Sequence, residues 1–126
     1  MQSETPLVPV ECQDPAQTAD HIIDDLYRRF NCGTPILKVE ILVPEGGYLM
    51  DDAVRVLRGL SIWTDSKRSH DSVLNGGVNY FYLMFDEDSF CRVDSSLRLW
   101  LGRLLDSGCE IRVCDKLWNI GGADGV

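Results

Sequence analysis

From Ile36 onward the apolar residues repeat at alternate positions, then at helical spacing, in the order β-α-β-β-α-β. This order restricts the chain more than any figure of composition. Each strand-helix-strand unit makes its two strands run the same way, and a hairpin joining two such units interleaves them into one antiparallel sheet.

The pattern reads element by element. Residues 36–43 form a first strand with Leu37, Val39, Ile41 and Val43 on one side and Lys38 and Glu40 on the other. Gly46-Gly47 turns into a short helix with Met50, Ala53, Val54 and Leu57 on its apolar side, Asp51 and Asp52 in its first turn and Gly59 at its end. Residues 60–64 are predicted as the second strand and 78–85 as the third. The third is apolar on both faces, which predicts a central strand covered on both sides. A second helix begins at Ser89 or Ser95 and ends at Ser107, with Val93, Leu97, Trp100, Leu101 and Leu104 facing the core and Gly108 as its stop. Cys109, Ile111 and Val113 alternate with Glu110, Arg112 and Cys114 in the last strand.

The expected fold class is therefore α+β, a ferredoxin-like βαββαβ antiparallel sheet of order 4-1-3-2 with helices on one face, plus an extra N-terminal helix. Thr18 is predicted to cap that extra helix, which runs to Asn31. Its stripe of Ile22, Ile23, Leu26, Tyr27 and Phe30 is expected to cover the free sheet face lined by Leu42, Tyr80, Tyr82 and Met84. Asp24 with Arg28 and Asp25 with Arg29 are spaced as ion pairs, and the two arginines read as a solvated helix end. The organisation is an extended arm over 1–17, one α+β domain over 18–118 and a flexible tail over 119–126.

A formal charge of -8 over 126 residues describes an acidic surface that repels phosphate backbones and anionic membranes and attracts basic proteins. Direct nucleic-acid and membrane binding are accordingly not expected. Cys12, Cys32, Cys91, Cys109 and Cys114 form no CxxC pair and read as reduced thiols of a cytoplasmic protein, with Cys91 and Cys109 as buried fillers. The first residues show no leader pattern, and no apolar run reaches the roughly 20 residues of a spanning helix.

Reactive chemistry finds little footing. The third strand resembles the base-stacking strand of the RNA-recognition motif in its aromatics, but it lacks the basic residue and second glycine of that signature. Glu45, Asp51 and Asp52 follow the first strand, and Asp86, Glu87 and Asp88 the third. Antiparallel neighbours place those groups at opposite ends of the sheet, so no shared metal site is expected. Cys32 and His70 carry no local signature of a thiol-imidazole dyad. No cofactor and no catalytic residue is predicted.

The reading that follows is a small acidic protein-binding module: an inhibitor, immunity protein or antagonist of a basic, nucleic-acid-handling partner. Asp51, Asp52, Asp86, Glu87 and Asp88 would supply charge, and Tyr48 and Trp63 the anchors. The alternatives are a small metal- or thiol-dependent enzyme using the acidic loops, and an assembly subunit that oligomerises through Tyr80, Tyr82 and Met84. The expected state is monomer or homodimer.

Overall fold

In a computed structural model, residues 14–44, 47, 49–67 and 78–120 are described. Strands β1 (Leu37–Leu42), β2 (Trp63–Lys67), β3 (Tyr80–Phe85), β4 (Glu110–Val113) and β5 (Lys116–Trp118) form an open antiparallel sheet in the order β2-β3-β1-β4-β5. Helices α1 (Pro15–Asn31), α2 (Asp51–Gly59) and α3 (Glu87–Asp106) complete an α+β fold. Four strands stand as β4-β1-β3-β2, and β5 adds a fifth that a four-stranded plan does not have. It folds back on β4 through Cys114, a non-glycine residue at φ 55°. The predicted arm over 1–17 gives way to helix α1 from Pro15, a polar stretch predicted as a loop over 65–77 is strand β2 as far as Lys67, and residues 1–13, 68–77 and 121–126 lie outside the described residues.

Local chemistry sets the helix ends. The Asp14 carboxylate accepts from the Ala16 and Gln17 amides at 3.0 and 3.4 Å, and Pro15 occupies the first helical position, where no amide is needed. Helix α1 thus starts three residues before Thr18. Gly33, at φ 99°, lets the chain leave the helix left-handed. Helix α3 begins earlier than predicted too, because Asp86 and Ser89 form a reciprocal capping box: Ser89 N donates to Asp86 Oδ1 at 2.8 Å and Asp86 N to Ser89 Oγ at 3.1 Å.

One sheet face carries Leu37, Val39, Ile41, Phe81, Leu83, Phe85, Ile111 and Val113, all buried. They share one cluster with Ile22, Leu26 and Phe30 of α1, Val54 and Leu57 of α2, and Phe90, Leu97, Leu101 and Leu105 of α3. The Phe90 ring sits at its centre, 4.8 Å from Tyr27, 5.5 Å from Phe30 and 6.2 Å from Phe85 by ring centroids.

Several expectations fail here. Helix α1 does not cover the second sheet face; it packs against α3, where Asp20 pairs with Arg98 at 3.0 Å and the Tyr27 hydroxyl donates to Asp94. Its stripe meets an apolar partner on α3, whereas the second face carries charges among its aromatics. Strand β3 is consequently central but covered on one side, with Tyr80, Tyr82 and Met84 half-buried. Arg29 is no solvated helix end either. Its Nε lies 2.8 Å from Asp25, a carboxylate only 1% exposed, and its Nη2 donates to Asp115 in the β4–β5 turn at 3.0 Å. Arg28 joins Asp25 rather than Asp24, and Lys116 of β5 stands 3.9 Å away. These bonds tie α1 to the final hairpin.

Smaller differences have simple causes. Leu60 ends α2, so β2 begins at Trp63. Cys91 is exposed because Phe90 takes the inward position beside it. Cys109 is buried, and burial pushes its thiol up to about 11. Among the described residues no helix is long and apolar enough to cross a membrane.

Candidate interaction surface

The second sheet face is assembled by strand register. At one level Asp65, Tyr82, Glu40 and Arg112 stand side by side across β2, β3, β1 and β4; at the next, Lys67, Tyr80, Leu42 and Glu110 do. A third level begins Trp63, Met84, Lys38. Side chains at one level interact as cross-strand neighbours. The Tyr80 hydroxyl donates to Glu40 Oε2 at 2.6 Å, and Arg112 Nε donates to Glu40 Oε1 at 2.9 Å. Those donors, Arg112 first, hold the Glu40 carboxyl below its ordinary range, and partial burial with the bond to Glu40 pushes Tyr80 up to about 12. Trp63 Nε1 donates to the Tyr82 hydroxyl at 3.0 Å, and the Lys38 ammonium lies 4.6 Å from the Tyr82 ring centre.

The end of the sheet where β3 runs into α3 is different in kind. Ile62 N donates to Met84 O at 3.0 Å, Trp63 pairs with Met84, and Leu37 pairs with Phe85. Ile36 and Ile62 therefore flank the end of β3, immediately before Asp86-Glu87-Asp88. Ile36 is 41%, Ile62 46% and Trp63 63% exposed. Asp86 is occupied as the helix cap, and its bonds from Ser89 hold its carboxyl below the usual value. Glu87 and Asp88 remain exposed in the first turn of α3. Trp63 on the second face, Ile36 and Ile62 just before their strands, and the two exposed carboxylates of α3 thus lie at one end of the sheet. Aromatic and aliphatic side chains of this kind can provide desolvated area in a protein contact, and carboxylates beside them can steer a cationic surface.

The predicted site residues divide accordingly. Trp63, Asp86, Glu87 and Asp88 lie at this end of the sheet, with Trp63 on the second face beside Tyr82 and Met84 and the acidic run leading into α3. Asp51 and Asp52 do not join them. They open α2 at the other end of the sheet, next to the Leu49–Val78 bridge, and Asp52 pairs with Arg55 at 2.8 Å. Tyr48, Glu45 and His70 lie outside the described residues. Ile36 and Ile62 were read only as members of the predicted strands 36–43 and 60–64, whereas in the structure each precedes its strand and is exposed. Among the described residues no group of His, Cys, Asp and Glu side chains is arranged to hold a metal ion. Comparison with protein-family models, curated proteins and solved structures found no match for the chain.

Proposed function

We propose that this chain is a small acidic protein-binding module that acts by docking onto a basic protein partner, as an inhibitor or antagonist of that partner. The observation that carries this reading is the exposure of Ile62 and Trp63 where β2 begins, at the same end of the sheet as Glu87 and Asp88 in the first turn of α3. The indole enters binding already oriented by its bond to Tyr82, so little side-chain freedom is lost on association. A net charge of -8 favours encounter with a cationic surface. The four-strand core is read as ferredoxin-like, with β5 appended at one edge; this scaffold holds the anchors on regular strands rather than on loops.

The test is retention of partners from native extract on the immobilised chain, followed by calorimetry with each purified partner. The expected result is a basic protein whose affinity falls at least about tenfold with Trp63→Ala, and falls again with the Glu87→Gln, Asp88→Asn pair or with raised salt. A partner held equally well by all these variants overturns the proposal.

A further inference from the structure

We infer that the second sheet face pairs with a second copy of this chain, about a two-fold axis running parallel to the strands between β1 and β3. This goes beyond the docking of a basic partner, and it starts from a local charge balance. The chain is strongly acidic, yet on this face Lys38, Lys67 and Arg112 offset Glu40, Asp65 and Glu110. Because this face is neutral, it is the one through which two acidic copies approach with least repulsion.

The arrangement of those charges selects the axis. Lys67 on β2 and Glu110 on β4 stand at the same level, with Tyr80 and Leu42 between them. Asp65 and Arg112 stand at the next level, with Tyr82 and Glu40 between them. Rotation by half a turn about a line between β1 and β3 reverses the order of the strands and preserves the levels. It lays β2 of one copy over β4 of the other, so Lys67 meets Glu110 and Asp65 meets Arg112, each contact occurring twice. In the middle, Tyr80 of one copy meets Leu42 of the other. Glu40 is already bonded to Tyr80 and Arg112, so it enters the interface satisfied. Strands in the two copies run close to the same direction, the ordinary geometry of one sheet lying on another.

The experiment is sedimentation velocity on the purified full chain at tens of micromolar, with circular dichroism confirming the fold of every variant. The wild type is expected to be a dimer. Lys67→Glu and Glu110→Lys alone each place like charges across the interface and are expected to weaken the dimer by about tenfold or more. Mixed together, these two variants form a heterodimer in which both contacts are again opposite in sign, and the double variant K67E/E110K dimerises like the wild type. A monomeric wild type overturns the inference, as do single variants that stay fully dimeric or a mixture that stays monomeric. Trp63 lies on this face too, so partner docking is separated from pairing by the Glu87→Gln, Asp88→Asn variant, which changes α3 on the opposite side of the sheet, and either idea can fail without the other.

Discussion

Phe90 is fully buried where α1, α3 and β3 meet, and its replacement reports on the whole helix layer. Truncating a core phenylalanine to alanine costs about 3–5 kcal/mol through lost burial and the void left behind. Part of that belongs to ring geometry. Edge contacts with Tyr27 and Phe85 contribute about 0.5–1.5 kcal/mol each beyond area, whereas leucine would keep most of the volume and none of the edges. Phe90→Ala is therefore expected to lose about 4 kcal/mol and Phe90→Leu about 1–2 kcal/mol. Urea unfolding followed by tryptophan fluorescence and far-ultraviolet dichroism measures both. For a domain of about 5–15 kcal/mol the alanine variant should sit near the edge of stability. A loss below about 1 kcal/mol for Phe90→Ala, or equal losses for the two variants, would refute the packing argument.

Glu40 makes stability depend on pH. Arg112 and Tyr80 hold its folded carboxyl below the ordinary glutamate value, so its contribution is present above the unfolded pKa of about 4.3 and is lost as pH falls through the folded one. Glu40→Gln should be less stable than wild type at about pH 6, and the difference should vanish toward about pH 2; urea midpoints across that range check it, and a constant difference contradicts the assignment. Cys109, buried and pushed up to about 11, should resist alkylation in the native protein while exposed Cys32, Cys91 and Cys114 react. Peptide mapping after a brief treatment with iodoacetamide reads this, and rapid native labelling of Cys109 would contradict its burial.

The elements with one strongly apolar face were legible in the residues. Leu37, Val39 and Ile41 alternate cleanly, and Phe81, Leu83 and Phe85 take the buried side of β3. What escaped lacks such a face. Strand β2 is Trp-Thr-Asp-Ser-Lys at the sheet edge, with no apolar alternation, and the apolar Leu60 just before it belongs to the end of α2. Strand β5 follows a Cys114-Asp115 turn with none of the glycine or asparagine that usually announces a hairpin. A helical stripe states that α1 is buried on one side but not against what; the choice of α3 over the second sheet face depended on charges brought there by strands far apart in the chain. The candidate surface was half legible for the same reason. Trp63 and the acidic run are visible as residues, but only register shows that they lie at the same end of the sheet.

The interleaved order of the sheet bears on how the protein comes to be made. Ile41, in the middle of β1, lies between Phe81 and Ile111, so the earliest strand to leave a ribosome has its second flank closed by nearly the last. Until β4 emerges, that flank offers unpaired amides and carbonyls to any neighbouring nascent chain. Folding rich in such distant pairings is slow. The half-built sheet that lacks β4 is then the state in which this protein is most open to aggregation.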